Sequence, residues 1–257
     1  MRILYLLVDD LDPADEELRR LSLAGQALLA PGDAFTVAPI AFGPDHYYES
    51  ALGFGLCVPG VVHAVLERQD EHDAIIIGCF GDPGLRAART VARIPVIGAC
   101  EASVCFAGMI AQRFGIVTIE TSDIPELETR LAEMEQGHRC VGLGAIDRPF
   151  HSVKDDPQDT LDRLERAARP LLERGAQAIL LGCLSYGFSS FEGQLAERLG
   201  RPVVNPLRAS IGAAVALRLL GTAPSPAWVA PADDPSAAER HLAAMASAGA
   251  RAGRFPA

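Results

Sequence analysis

The sequence predicts an α/β protein with two pseudo-symmetric lobes, each a four-stranded parallel sheet flanked by helices, and an active site in the cleft between them. The first observation is a phrase that occurs twice, as Asp73-Ala-Ile-Ile-Ile-Gly-Cys79 and as Gln177-Ala-Ile-Leu-Leu-Gly-Cys183. Each copy is typical of a short, fully buried strand that ends at a Gly-Cys pair. The second observation is that the segments around each copy repeat in the same order, which predicts a duplicated β-α-β-α-β-α-β unit.

The first strand of each half leads into an acidic helix start that contains a proline. The strand at 2–8 is followed by Pro13, and the strand at 115–119 is followed by Pro125. Proline near the first helical position, together with acidic neighbours, is typical of a helix N-terminus. The Gly-Cys strands come third in each half. The second strands with their loops are expected at 35–44 and 139–149, and the fourth strands at 93–98 and 201–205.

These elements divide the chain into two lobes and a tail. The first lobe is expected at 1–98, the second at 99–208 and the C-terminal tail at 221–257, with a helix at 209–220 returning to the first lobe. Right-handed crossovers place the loops that follow parallel strands along one edge of the sheet. Ligands of open α/β sheets bind at that edge, so two such edges are expected to face one cleft.

Composition and charge exclude several classes of partner. The chain has 257 residues, of which 49% are hydrophobic and 22% are charged, and its net charge is −10. An acidic protein is a poor match for nucleic acid or for an anionic membrane surface. No stretch is expected to be long and apolar enough to span a bilayer. Because acidic residues directly follow the apolar N-terminal segment, that segment is expected to be a strand and not a signal peptide, and the protein is expected in the cytoplasm.

The six cysteines show neither a CxxC pair nor a His/Cys cluster with the spacing of metal ligands. Free thiols are therefore expected, and neither a metal nor another cofactor. Four of the six are expected to be small buried hydrophobic residues: Cys57, Cys100, Cys105 and Cys140. Cys79 and Cys183 differ, because each one follows a buried strand and the two positions repeat.

A thiol at the carboxyl end of a strand, facing a helix N-terminus, is placed where backbone N–H groups and the helix dipole favour the thiolate. One such thiol in each half suggests that both are presented to a shared cleft. Two thiols that face one carbon atom can exchange its proton from opposite sides. That is the chemistry of a racemase or an epimerase.

Other motifs have a functional and a purely structural interpretation. The turn Gly78-Cys-Phe-Gly-Asp-Pro-Gly84 lacks the Lys-Ser/Thr of a phosphate loop, but it supplies flexible backbone and N–H groups beside Cys79. The turn Leu184-Ser-Tyr-Gly187 does the same beside Cys183. His46 is either a base for a Cys–His pair or a solvated loop residue. Asp9 lies either at the cleft edge or in a helix cap.

Several stretches resemble one family. They include Phe42-Gly-Pro44, the run from Gly78 to Leu85 (Gly-Cys-Phe-Gly-Asp-Pro-Gly-Leu), Ile94-Pro-Val-Ile-Gly98, Phe114-Gly-Ile-Val-Thr118 and Leu181-Gly-Cys183. From the first residue to about residue 220 the chain resembles the aspartate/glutamate/hydantoin racemase superfamily, and most of all its hydantoin racemase branch. The resemblance implies a cofactor-independent enzyme in which one cysteine thiolate removes the α-proton and the other thiol donates a proton to the opposite face. It also implies a homo-oligomer.

By this resemblance Cys79 and Cys183 form the acid/base pair, and backbone amides after each of them hold the enolate oxygen. The resemblance and the turn sequences together predict these substrate-binding residues: Asp9, Phe80, Gly81, Thr118, Leu184 and Ser185.

The sequence departs from the family pattern at two places. Where hydantoin racemases usually carry an Asn-Pro-Asn-Thr type of segment, the chain has Asp9 and its neighbours, and where they carry Gly-Cys-Ala-Gly-Met it has the bulkier Leu184 and Tyr186. A carboxylate accepts hydrogen bonds and does not donate them, so Asp9 favours an N–H group over a carboxylate on the substrate.

The predicted function is therefore racemisation of a small molecule, a 5-substituted hydantoin or an allantoin-like ureide. The alternatives are an amino acid racemase of the aspartate/glutamate type, a related decarboxylase or isomerase, a non-catalytic binding protein, and a redox role for the two cysteines.

Overall fold

The computed structural model describes residues 1–8, 16–41, 50–148, 156–189, 191–225, 227, 240–245 and 247. The chain divides into two compact units. The first comprises Met1–Gly98 and Ala213–Ala257, and the second comprises Ala99–Gly212. The second unit therefore ends at residue 212.

The first unit contains a four-stranded parallel sheet with the strand order β2-β1-β3-β4. The central strands β1 and β3 are apolar and buried on both faces, as expected for a parallel sheet covered by helices. In chain order the elements are β1 Arg2–Leu7, α1 Glu16–Gln26, β2 Ala34–Pro39, α2 Ala51–Arg68, β3 Ala74–Ile77, α3 Leu85–Arg89 and β4 Val96–Gly98.

Helix α2 begins where Ser50 caps it, since the Ser50 side chain accepts a hydrogen bond of 3.1 Å from the Gly53 N–H. Its buried face places Cys57, Val61 and Val65 in one hydrophobic core with residues of β1 and β3. This packing fixes α2 beside the carboxyl end of β3, where Cys79 follows.

Helix α2 also corrects one expectation. Among the described residues it is a helix long and apolar enough to cross a membrane by length and composition, with a mean hydropathy of 1.3 over 18 residues. The expectation that no stretch meets this criterion was therefore wrong. Seven residues of α2 are buried, and the core helix of a globular unit passes the same test. The apolar composition of α2 thus has a role in the core of the first unit.

The second unit repeats the first. Its four parallel strands have the order β6-β5-β7-β8, which is the order of the first sheet with every number raised by four. In chain order the elements are α4 Ala99–Ile110, β5 Phe114–Thr118, α5 Ile124–Glu133, β6 Cys140–Ala145, α6 Pro157–Glu173, β7 Ala178–Leu181, α7 Leu184–Ser189, α8 Phe191–Leu199, β8 Val203–Val204 and α9 Pro206–Leu219. The predicted fold class, two four-stranded parallel sheets flanked by helices, is confirmed.

Helix α9 begins three residues earlier than the predicted helix at 209–220. Asn205 caps it, because the Asn205 Oδ1 accepts hydrogen bonds from the N–H groups of Leu207 at 3.0 Å and Arg208 at 3.1 Å. Pro206 occupies the first helical position, where its missing N–H costs nothing. The part of α9 from Ala213 onward belongs to the first unit.

Candidate functional site

Cys79 follows β3 at the carboxyl edge of the first sheet, and its backbone is held against β1. The Gly78 N–H donates to the Leu6 carbonyl at 2.8 Å, and the Tyr5 hydroxyl donates to the Gly78 carbonyl at 3.3 Å. A Cβ atom on Gly78 would lie 2.7 Å from the Leu6 carbonyl oxygen and 2.7 Å from the Tyr5 ring. Glycine is therefore required directly before this half-buried cysteine, because the two strands approach too closely for a side chain.

The turn after Cys79 brings a backbone donor to its sulfur. The Gly81 N–H donates to Cys79 Sγ at 3.3 Å, and the Asp82 N–H donates to the Cys79 carbonyl at 3.2 Å. Asp82 has a left-handed backbone with φ of 52°, and the following Gly84 has φ of 74°. A hydrogen bond donated to sulfur is stronger to a thiolate than to a thiol, and this turn supplies one such donor to Cys79.

Cys183 has the equivalent place in the second unit, after β7. The Gly182 N–H donates to the Val117 carbonyl at 2.8 Å, just as Gly78 bonds to β1 in the first unit. Cys183 Sγ lies 3.1 Å from the Ser185 hydroxyl oxygen, and either atom can be the donor. Cys183 is 9% exposed, so it is more buried than Cys79. Each unit thus places one cysteine at the carboxyl edge of its sheet with a polar partner two residues later.

Thr118, predicted to bind substrate, lies in a buried network beside Cys183. Its hydroxyl donates to Asp123 Oδ2 at 2.6 Å and lies 3.4 Å from the Gly182 carbonyl. Its own carbonyl accepts a hydrogen bond of 3.2 Å from the Tyr186 hydroxyl. Sequence reasoning missed both Asp123 and Tyr186 as parts of this network. The sequence around Asp123 indicates only a helix start, and the Tyr186 hydroxyl bonds across 68 residues, which leaves no local signal.

The other predicted binding residues fall into three groups. Phe80 and Leu184 are buried, each 3% exposed, among the hydrophobic core residues. Gly81 and Ser185 contact the two cysteine sulfurs as described. Asp9 lies outside the described residues, as does His46.

A polar pocket of about 310 Å³ lies at the carboxyl edge of the second sheet. It is formed by the residues that follow β5 and β6, which are Glu120, Thr121, Ser122, Asp147 and Arg148. The Thr121 N–H and hydroxyl both donate to Asp147 Oδ1, at 3.0 Å and 2.8 Å, and this joins the two loops. Cys183 follows β7 at the same edge of the sheet but is not among the residues that line this pocket.

The remaining cysteines are not placed like Cys79 and Cys183. Cys57 and Cys100 are fully buried, as predicted. Cys140 is only half-buried, and its burial raises the pKa of its thiol. Cys105 is exposed, so its predicted burial was wrong: it lies on the outer face of α4, near the exposed Met109. Within the described ranges, no group of three or more His, Cys, Asp and Glu side chains is placed to hold a metal ion.

A family model described as Asp/Glu/Hydantoin racemase matches residues 19–214. The chain belongs to the Asp/Glu/hydantoin racemase family. The matched region covers most of the chain and contains both Cys79 and Cys183. The family indicated by the sequence motifs is therefore confirmed, and with it an assignment to the racemases, which are isomerases.

Known members of the racemase family align over most of this chain. The hydantoin racemase of Rhizobium meliloti is 37% identical over 186 residues, which are 69% of this chain and 73% of the relative. The solved structure of allantoin racemase from Klebsiella pneumoniae has a TM-score of 0.79 at 29% identity, covering 91% of this chain and 94% of that one. Allantoin racemase from Pseudomonas fluorescens shares the fold, with a TM-score of 0.81 at 24% identity, covering 91% of this chain and 98% of that one.

Proposed function

We propose that this member of the family is a cofactor-independent racemase in which Cys79 and Cys183 act as an acid/base pair on opposite faces of one stereocentre. We further propose that its substrates are 5-substituted hydantoins or allantoin-like ureides. The observation that carries the proposal is the equivalence of the two cysteines. Each one follows the third strand of its sheet, after a glycine whose N–H bonds to the neighbouring strand, and its sulfur has a partner two residues on.

The proposed reaction needs no electron sink beyond the substrate. The thiolate of one cysteine removes the α-proton and becomes a thiol, while the C–H electron pair moves into the adjacent ring carbonyl as an enolate. The other cysteine, a thiol, donates its proton to the opposite face and becomes a thiolate. The enzyme then holds the reverse protonation pattern and is ready for the other enantiomer. Because the carbonyl flanks the stereocentre, the carbanion is stabilised without pyridoxal phosphate or a metal ion.

The contacts of the two sulfurs suit this exchange of roles. Cys79 accepts a hydrogen bond from the Gly81 N–H, and such a bond is stronger to a thiolate than to a thiol. The Ser185 hydroxyl beside Cys183 can donate to a thiolate or accept from a thiol, so this contact is kept in both protonation states. A thiol pKa is ordinarily about 8.5, and a modest lowering allows thiolate and thiol to coexist near neutral pH.

The substrate class rests on the relatives and on chemistry. The relative from Rhizobium meliloti and the structure from Klebsiella pneumoniae are named for hydantoin and allantoin, which are both cyclic ureides. In the proposal Asp9, which lies outside the described residues, provides a carboxylate acceptor suited to a ring N–H. A free α-amino acid would instead present a carboxylate. The small-molecule substrate fits the family, whereas the cytoplasmic location and the homo-oligomeric state remain predictions.

Polarimetry with a panel of enantiopure compounds tests the proposed function. We expect the optical rotation of a 5-substituted hydantoin or of allantoin to decay to zero with the purified chain, while aspartate and glutamate keep their rotation. Decay only with the amino acids would move the function to the aspartate/glutamate type. Ligand-induced stabilisation without any loss of rotation would favour a non-catalytic binding protein and contradict the proposal.

A further inference from the structure

We propose that Tyr186 is a positioning residue for Cys183 and acts through Thr118. The inference rests on the proposed function only in that Cys183 is the reactive thiol. Tyr186 lies three residues after Cys183, at the start of α7. Its hydroxyl reaches back to β5 and donates to the Thr118 carbonyl at 3.2 Å.

Thr118 contacts both ends of the segment 182–186, which carries Cys183. At the far end the Thr118 carbonyl accepts a hydrogen bond from the Tyr186 hydroxyl. At the near end the Thr118 hydroxyl oxygen lies 3.4 Å from the Gly182 carbonyl oxygen. The near end is fixed further by the Gly182 N–H, which donates to the Val117 carbonyl at 2.8 Å. Cys183 and its partner Ser185 lie between these two attachments. The position of the sulfur therefore depends on both of them.

Thr118 is itself held firmly. Its hydroxyl donates at 2.6 Å to Asp123 Oδ2, which also accepts the Glu120 N–H at 3.0 Å. Thr118 is 2% exposed, Asp123 is 5% exposed and Tyr186 is fully buried. Hydrogen bonds in such a dry interior have defined geometry, because water cannot replace a lost partner. The segment is thus anchored to a rigid point.

The first unit has different residues at the positions that form this attachment, with Asp82 in the place of Tyr186. Leu6 pairs with Ile77 in the first sheet and Val117 pairs with Leu181 in the second, so Leu7 has the place of Thr118. Leu7 carries no hydroxyl, and the support of Gly78 comes instead from the Tyr5 hydroxyl, within the strand pair. Tyr186 is therefore expected to affect Cys183 and not Cys79, which makes its effect separable.

The change Tyr186→Phe removes the attachment with little other disturbance. The ring keeps its place in the core, where it packs edge-on against Phe191 with ring centres 6.3 Å apart. The Thr118 carbonyl keeps a second donor, the Ile146 N–H at 3.2 Å, and so is not left unpaired. Loss of one neutral hydrogen bond corresponds to about a five- to tenfold effect. The matched control is Tyr5→Phe, which removes a tyrosine hydroxyl from the other unit.

The first test measures α-proton exchange in D2O with single-cysteine enzymes. In a Cys79→Ser background the remaining Cys183 exchanges the proton of one hydantoin enantiomer, and in a Cys183→Ser background Cys79 exchanges that of the other. We expect Tyr186→Phe to lower the rate constant of the Cys183-dependent exchange about five- to tenfold, with KM unchanged. The rate constant of the Cys79-dependent exchange should stay unchanged. Tyr5→Phe should leave the Cys183-dependent rate unchanged. An equal loss in both backgrounds, or no loss in either, would overturn the positioning role.

The second test does not depend on turnover. Iodoacetamide is applied to the otherwise wild-type chain, and modification of Cys183 and Cys79 is followed in the same sample by peptide mass spectrometry. Loosening of the segment 182–186 is expected to raise the Cys183 rate about fivefold relative to the Cys79 rate in Tyr186→Phe. An unchanged or lower ratio would contradict the proposal. A raised ratio in a protein that exchanges no substrate would keep the positioning role and overturn the proposed function instead.

Discussion

Replacing either Cys79 or Cys183 with serine is expected to reduce racemisation of a 5-substituted hydantoin by about a thousandfold or more. General acid–base catalysis contributes about 10²- to 10⁴-fold, and a serine hydroxyl is far too weak an acid to replace a thiol in either role. Both variants are expected to fold, since serine is slightly smaller than cysteine and each site already contains a polar partner, the Gly81 N–H or the Ser185 hydroxyl. The measurement is the decay of optical rotation at saturating substrate, together with the thermal midpoint of unfolding.

The matched control for both variants is Cys105→Ser. Cys105 is exposed on α4 and does not follow a strand as Cys79 and Cys183 do, so its replacement should leave the rate unchanged. If one catalytic variant retained more than about a tenth of the wild-type rate, that cysteine would not be an acid/base residue. A full loss in only one of the two variants would favour single-cysteine chemistry of the decarboxylase kind.

The second large effect is expected for Gly78→Ala, which should both destabilise the protein and slow racemisation. The new Cβ would lie 2.7 Å from the Leu6 carbonyl oxygen, a backbone atom that cannot move aside without separating β1 from β3. Overpacking of this kind costs about 1–3 kcal/mol of the free energy of unfolding, and here it also displaces the adjacent Cys79. Chemical denaturation and the racemisation rate, measured on the same preparation, test both parts.

Two other glycines provide a graded comparison for Gly78→Ala. At Gly182 the nearest contacts of a new Cβ are at 3.0–3.1 Å, so Gly182→Ala should cost less. At Gly55, exposed in α2, a new Cβ would have no atom of the described residues within 4 Å apart from its own helix backbone. Gly55→Ala should therefore be neutral or should stabilise the protein by up to about 1 kcal/mol, because alanine favours helix. A denaturation midpoint for Gly78→Ala no lower than that for Gly55→Ala would contradict the packing described at the end of β3.

The strands and their succession along the chain were predictable because their signals are local. The two runs that end in Gly78-Cys79 and Gly182-Cys183 are apolar throughout, and in a duplicated chain the elements of one half support the assignment of the other. The helix boundary at Pro206 was missed although its signal, an Asn-Pro pair at 205–206, lies in the sequence. The helix was predicted to begin at residue 209, three residues after Pro206, so the cap at Asn205 was not recognised.

Sequence reasoning missed the exposure of one cysteine and one hydrogen bond of the site, and both depend on how the elements pack. Cys105 is exposed because α4 turns Cys100 and Val104 inward, and the apolar composition of α4 leaves no clear polar face that would have indicated this orientation. Thr118 was predicted from the resemblance to the racemase family, but its bond to Asp123 depends on a tight 3-10 turn at Thr121–Asp123. Such contacts arise only from the folded backbone.

The central claim, that two thiols act on opposite faces, is tested most directly by deuterium incorporation during the first turnovers. An enantiopure 5-substituted hydantoin is incubated with the wild-type chain in D2O, a sample without enzyme corrects for uncatalysed exchange, and the two enantiomers are separated early in the reaction. Two opposed thiols predict that the newly formed enantiomer carries solvent deuterium at the stereocentre, while the recovered starting enantiomer retains its original proton. If the starting enantiomer gained deuterium as fast as the product formed, or if the product kept the original proton, a single base would be at work and the mechanism of two opposed thiols would be contradicted.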